Sequence, residues 1–431
     1  MELKQPLAKL SIGGSAAILL LSVGAWASGP RTVVLYKFTG SPDGRSPNGQ
    51  LIADHAGNLY GTTEFGGTAD SGVVFELSPP NGKGGKWTET ILYRFTGGSD
   101  GSAPNAGLVF DRAGNLYGTT FGGGNCHYSC GVIFQLAPSH TPGGTWTETV
   151  LHAFGGSVSR DGGNPTGSLV FDKAGNLYGT TELGGDVNCT IGPGPCGLVF
   201  QLSPPKSQGD PWTETVLYNF TGVPDGQYPF GFLTIDERGN LFGTTTEGGT
   251  GACTDGEGLT IGCGTAFKLS RRDGGAWTET TFYNFQTSDS GPALDLLLDA
   301  TGALYGPGGY DVVKLAPPAK HGDPWTEHVL HRFAEGIKGR LPSSGIVTDP
   351  DGNLYGTTWA NGLESPYGTV YELSPPATKG KKWSLTTLHK FPGNFDSEQP
   401  KGLLLRSKSG DLYGTTSGLS GGSGYVFKII P

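Results

Sequence analysis

Three kinds of residue in this chain have types and spacings that could do chemistry. The first is cysteine. Six cysteines fall in three local pairs, Cys126/Cys130, Cys189/Cys196 and Cys253/Cys263. An even count at short spacing points to disulfides, whereas a metal site would want C-x-x-C or recurring histidine, and only His127 lies near a pair. Each bridge would close a short loop and stiffen it locally. The second kind is aspartate before glycine, at Asp43-Gly44, Asp100-Gly101, Asp161-Gly162 and Asp225-Gly226. One calcium or sugar site per copy competes with a simple turn. The calcium-loop order D-x-D-x-D-G is missing, so the turn is expected, with glycine supplying positive φ. The third kind is a set of aromatics and carboxylates: Tyr310, Asp311, Trp359, Glu247 and Tyr228. Aromatic faces beside carboxylates suit a sugar or a peptide better than a phosphate.

Signatures of covalent catalysis are missing. There is no H-E-x-x-H, no phosphate-binding glycine loop and no lone cysteine with a histidine partner. His152, His331 and His389 stand in "LHAF", "LHRF" and "LHKF", where another copy reads "LYRF", and are expected to be packing variants. No catalytic residue, metal or cofactor is expected. The net charge of −9, with 16% charged residues and no basic block, argues against nucleic-acid binding.

What must position these residues is a repeat. "GNLYGTT" opens at Gly57, Gly114, Gly175, Gly239 (as "GNLFGTT"), Gly352 and Gly410 (as "GDLYGTT"), with a degraded copy "GALYGPG" at Gly302. Each copy carries four short strand-like runs. In residues 107–154 these are "GLVFD", "LYGTT", "GVIFQL" and "WTETVLHAF", separated by Gly, Asn and Pro turn signals. Four-stranded antiparallel units written seven times predict an all-β, seven-bladed β-propeller. The first, most apolar strands are placed at the axis and the fourth, with Thr, Glu, Lys and Arg, at the rim. The last copy lacks a fourth strand, while "TVVLYKF" (32–38) has no blade of its own. The N-terminal strand is therefore expected to complete the last blade and close the ring, which removes two bare sheet edges.

The pattern G-N-L-Y-G-T-T-x-x-G-G, then G-x-V-F-x-L, then L-Y-x-F-x-G resembles the GloVer-type tandem repeat of exported bacterial "choice-of-anchor" proteins. The resemblance implies export and no particular activity. A C-terminal anchoring segment is common there, but this sequence ends in the strand "YVFKIIP". "GLVFDRAGNLYGTT" is also similar, more loosely, to NHL-like propeller repeats, which serve as scaffolds and as enzymes.

Residues 1–27 read as a signal peptide: Lys4 and Lys9, then "SAAILLLSVGAWA", then the small-x-small site Ala25-Trp26-Ala27. Residues 28–431 form the single propeller domain. The mature protein is expected to be an exported monomer without a membrane span, in the periplasm, on the cell surface or outside the cell. Function is expected on the face that carries the cysteine pairs. There the short loop "GPGGYD" of repeat five lies between long ones and predicts a notch lined by Tyr310, Asp311, Glu247, Trp359 and Tyr228. A binding or scaffold module for a glycan or protein ligand is the favoured reading. The alternative is a hydrolase or lyase at the channel mouth.

Overall fold

A computed structural model describes residues 29–431 apart from 83, 125, 127–129, 140, 142–143, 186–188, 191–194, 208, 255–257, 273–274, 287–294, 321, 334–340, 360–366, 379, 394–398 and 419–421. The signal segment and His127 lie outside the described residues. Every described element is a strand. Seven antiparallel blade sheets stand in a ring, one per repeat, and a two-stranded sheet pairs Gly44–Arg45 with Phe65–Gly66. Blade 2 shows the plan, with strands Val109–Phe110, Leu116–Thr120, Val132–Ala137 and Thr147–Ala153, each paired to the next. Blades 4 and 6 gain a short extra strand, Gln227–Pro229 and Leu341–Pro342, paired to the second strand. Blade 7 is completed by Arg31–Lys37 against Tyr425–Ile430, so the N-terminal strand closes the ring.

The repeated heptapeptide explains this locally. Its preceding aspartate makes the first hairpin: Asp54 accepts the N–H groups of Ala56 and Asn58, the Asn58 amide and the Tyr60 hydroxyl. Asp111, Asp172 and Asp349 do the same. The central glycine is needed because the third-strand Phe lies on it. A Cβ on Gly118 would come within 2.7 Å of the Phe134 ring. The tyrosine turns to the next blade, where Tyr60 meets Phe110 edge-on and Tyr117 meets Phe171. The final threonine caps its strand, as when Thr120 Oγ1 donates to the Gly122 carbonyl and accepts from Val132 N–H.

The core therefore sits between blades. Phe95, at the end of blade 1, packs on Phe134 of blade 2 at 5.1 Å, and Phe154 on Phe200, Phe220 on Phe267 and Phe38 on Phe75 repeat the contact. These rings are at most 1% exposed, and each contributes roughly 2–3 kcal/mol by its burial. A bulge recurs between the third and fourth strands of all seven sheets. It raises the local twist and lets successive blades lean together. Fourth strands do alternate, but their glutamates face inward while the flanking threonines face solvent (Thr88 and Thr90 exposed, Glu89 half-buried). The fourth strand itself is the outer edge of its blade, as expected.

Candidate functional site

Five blades begin with a residue held at positive φ just before proline: Ser46 (57°), Ala103 (53°), Asn164 (53°), Tyr228 (55°) and Gln399 (58°). Non-glycine residues adopt this shape at a cost of about 1–2 kcal/mol. Here the backbone holds it. The N–H donates to a loop of the preceding blade (Ala103 to Ser71, Asn164 to Cys130, Tyr228 to Cys196). The carbonyl of Ala103 or Asn164 accepts from the residue just past its own second strand, Phe121 or Glu182. The turn throws the next residues onto the axis.

The first residues after these prolines (Asn48, Asn105, Thr166, Phe230 and Lys401) and the third (Gln50, Gly107, Ser168, Phe232 and Leu403) surround the axis, with Ser343 from blade 6 and Asp295 from blade 5. They line a cavity of about 740 Å³. The outgoing ends of second strands complete it through Glu64, Thr246, Pro307, Gly309 and Trp359. The mouth thus opens on the face that carries the disulfide loops. Beneath it a space of about 410 Å³ continues along the axial strands, walled by Ile52, Val109, Val170 and Thr234. This is where the first strands were expected.

The mouth is rich in unmet hydrogen-bonding capacity. Asn48 Oδ1, Asn105 Oδ1, Thr166 Oγ1 and Trp359 Nε1 are buried and have no hydrogen-bond partner. Buried polar atoms are rarely left so, because each orphan costs about 1–3 kcal/mol. Three aromatic rings stand among them: Phe230, 37% exposed, with Phe232 and Trp359. Two carboxylates line the cavity. Glu64 accepts from Asn48 Nδ2 at 2.5 Å. Asp295 is surrounded by protein yet opens on the cavity, and it accepts Phe232 N–H (3.0 Å) and Gly345 N–H (3.3 Å). Burial pushes its carboxyl up to about 6, opposed by those two N–H groups. Blade 6 adds a hydroxyl cluster, with Thr357 Oγ1 at 2.8 Å from Ser343 Oγ and 3.0 Å from Ser344 Oγ.

Of the five residues singled out from loop lengths, Trp359 lines the mouth. Asp311 is fully buried in a bidentate pair with Arg332, at 2.8 and 2.7 Å. The Tyr310 carbonyl accepts Phe333 N–H, and the Glu247 carbonyl accepts Thr245 Oγ1. Tyr228 is the strained residue of its blade. Gly309 and Thr246, next to Tyr310 and Glu247, line the cavity instead, as does Phe230, two residues past Tyr228. A shift of one residue along a strand moves a side chain to the opposite face, which loop lengths cannot register. Asn48, Asn105 and Thr166, which loop lengths did not single out, also line the cavity. Their signal is in the sequence as the residue after each pre-strand proline.

The cysteines pair as expected, Cys126–Cys130, Cys189–Cys196 and Cys253–Cys263. The first cysteine of each pair is partly exposed, but the second is buried. Cys130 and Cys196 are 0% exposed and Cys263 is 3% exposed. Cys263 is a core residue, clustered with Ala266, Phe285 and Leu296 where blades 4 and 5 meet. It therefore offers no surface to a ligand. The physical reason is position: Cys263 stands two residues before the third strand, Thr265–Arg271, whose first residues are buried between blades. Each bridge thus ties a surface loop to the inter-blade core.

The other candidate chemistry resolves into structure as well. The aspartates before glycine hold turns: Asp100 accepts Thr96 N–H, Thr96 Oγ1 and the Tyr93 hydroxyl, and Asp43 and Asp225 match it. His152, His331 and His389 lie edge-on to the phenylalanine two residues on, each at 4.8 Å. Among the described residues no group of three or more His, Cys, Asp or Glu converges as a metal site, and no helix is long and apolar enough to cross a membrane.

Residues 26–254, more than half of the chain, match the model of the Gloeobacter/Verrucomicrobia repeat. No curated protein matches. Among solved structures, the extracellular domain of what is named a one component system of B. thetaiotaomicron superposes with a TM-score of 0.51 at 12% identity, over 93% of this chain and 41% of that one. The chain thus spans less than half the length of that relative. PorZ, a surface component of the type-IX secretion system of Porphyromonas gingivalis, gives 0.48 at 14% identity, over 89% and 46% of the two chains. A gluconolactonase of Xanthomonas campestris gives 0.41 at 14% identity, over 76% and 86%. At such identities the likeness is one of fold alone.

Proposed function

The chain belongs to the Gloeobacter/Verrucomicrobia repeat family, and we propose that it is an exported binding module that takes a saccharide at the mouth of its axial channel. The observation that carries this reading is the set of four orphaned polar atoms, Asn48 Oδ1, Asn105 Oδ1, Thr166 Oγ1 and Trp359 Nε1, arranged around exposed aromatic carbon. A sugar offers what they need: hydroxyls that donate to amide oxygens and accept from indole, and C–H faces that stack on rings. Disulfide-stiffened loops above the mouth reduce the ordering cost of binding. Export is supported by the signal-like residues 1–27 and by the three disulfides. N-terminal sequencing of the secreted protein should find Ser28 first.

The hydrolase or lyase reading has less behind it. Both oxygens of Asp295 are engaged by backbone N–H groups, and Glu64 is engaged by Asn48. Glycan-array binding, followed by calorimetry on each hit, tests the proposal. Trp359→Ala and Asn105→Ala should each weaken a hit about tenfold or more, with an unchanged melting temperature. Hits that bind both variants as tightly as the parent protein, or an array without hits, would remove the mouth from consideration. Release of product from a hit would favour the enzyme.

A further inference from the structure

Five blades enter the axis through the same seat. The residue before the proline donates its N–H to the carbonyl of a residue that ends a loop of the preceding blade, and a glycine follows that residue. The pairs are Ser46 on Ser423, Ala103 on Ser71, Asn164 on Cys130, Tyr228 on Cys196 and Gln399 on Tyr367, at 2.9–3.3 Å. The glycine lies against the proline ring: a Cβ on Gly72, Gly131, Gly197, Gly368 or Gly424 would stand 2.5–2.7 Å from Cδ of the proline on the next blade. A left-handed residue other than glycine persists only where its surroundings over-determine it, and this seat does so. Three seats are plain, at Ser71, Tyr367 and Ser423. The other two, Cys130 and Cys196, are covalently tied to Cys126 and Cys189. The seat cysteines are buried, and their partners are partly exposed.

We propose that the Cys126–Cys130 and Cys189–Cys196 bridges are positioning devices for ligand recognition, each fixing a seat and through it the mouth residues of the next blade. The proposal rests on the reading of the mouth as a saccharide site. From Asn164 the chain runs to Thr166 and Ser168, which line the mouth. From Tyr228 it runs to Phe230 and Phe232, and the Tyr228 carbonyl accepts Thr246 Oγ1 at 3.2 Å; all three line the mouth. The tie on Tyr228 is doubled. Thr190, next to Cys189, donates its N–H and its Oγ1 to the Thr221 carbonyl, each at 2.8 Å, and its Oγ1 accepts Val223 N–H at 2.9 Å. Thr221 and Val223 belong to the link that leads to Tyr228. A bridge cuts the freedom of its loop, so the carbonyl and glycine at its buried end stay against the next proline. Thr166 and the two phenylalanines then meet a ligand already placed, without the ordering cost of settling on binding. The bridges thus act on blades 3 and 4, one blade beyond the loops that carry them.

Hydrogen exchange read by mass spectrometry, together with the glycan array, tests this on the mature protein. The double variants Cys126→Ser/Cys130→Ser and Cys189→Ser/Cys196→Ser put at the seat the residue type that Ser71 and Ser423 supply elsewhere. The amide of Asn164 in the first variant, and of Tyr228 in the second, should exchange at least about tenfold faster than in the parent protein. Ala103 and Gln399 on unbridged seats, and the strand amides of Phe134 and Phe200 beside the bridges, should keep the parental rate. On the array, each variant should lose about fivefold or more in signal for the glycans that the parent protein binds. If a double variant does not fold, Cys126→Ser or Cys189→Ser alone cuts the same bridge at its partly exposed end. Parental exchange at Asn164 and Tyr228, or faster exchange spread evenly over the blade, would overturn the proposal. So would faster exchange at the seats with unaltered array signals. A parent protein that binds no glycan sinks the saccharide reading instead, and the exchange rates then still decide whether the bridges hold the seats.

Discussion

Val34 lies opposite Phe427 in one antiparallel sheet, so the first described strand and the last share blade 7. The contact that joins blade 7 to blade 1 starts from the same segment, because Phe38 packs on Phe75 at 5.1 Å. One short piece of chain thus serves both as a sheet edge and as a junction.

Deletion of Arg31–Lys37 should leave the Tyr425–Ile430 strand with bare N–H and C=O groups and open the ring. Exposed strand edges recruit other chains. Size-exclusion chromatography with light scattering should show species of higher mass than the parent protein. Adding the peptide of residues 31–38 in trans should restore the parental mass. A deleted protein that keeps the parental mass and melts like the parent would refute closure by this strand as a source of stability.

Gly118→Ala should destabilise blade 2 by about 1–3 kcal/mol, since the new methyl would press on Phe134 and Leu108 at 2.7 and 2.9 Å. Gly114→Ala is a separate test. Its surroundings are open, but its φ is +87°, so the penalty is backbone strain of about 1–2 kcal/mol. Phe134→Leu should rescue Gly118→Ala in part and leave Gly114→Ala unchanged, as read by denaturant midpoints.

Arg332→Ala should cost about 3 kcal/mol, because it strands the buried Asp311 carboxylate beside a hairpin. The double variant Arg332→Ala/Asp311→Val, which gives blade 5 the valine that blade 1 has at Val73, should recover most of that loss. Equal stability of the single and double variants would show that solvent reaches Asp311 and replaces the arginine.

Much of this was written in the chain. The heptapeptide copies carry period-two patterning, a hairpin aspartate and a glycine for the Phe ring, so blade number, strand order and ring closure were all readable. So was the cysteine pairing, because each pair is close in sequence and needs only local chain reversal. The burial of Cys263 was not, since it depends on blade 5 packing against it. The site was less legible still. Of the residues that loop lengths singled out, Trp359 lines the cavity, whereas Asp311 lies in a local ion pair and Thr246 rather than Glu247 lines the cavity.

The division has a physical cause. Hairpins, bulges and blades are built from hydrogen bonds among residues close in sequence, and a sequence can specify them one copy at a time. The channel mouth is assembled from single residues of seven blades, each set by where ring closure brings a strand end. The facing of Asp295 towards both Phe232 and Gly345 arises only when neighbouring blades pack. The repeat alone determined the ring; tertiary packing decided which polar atoms it leaves unpaired at the axis.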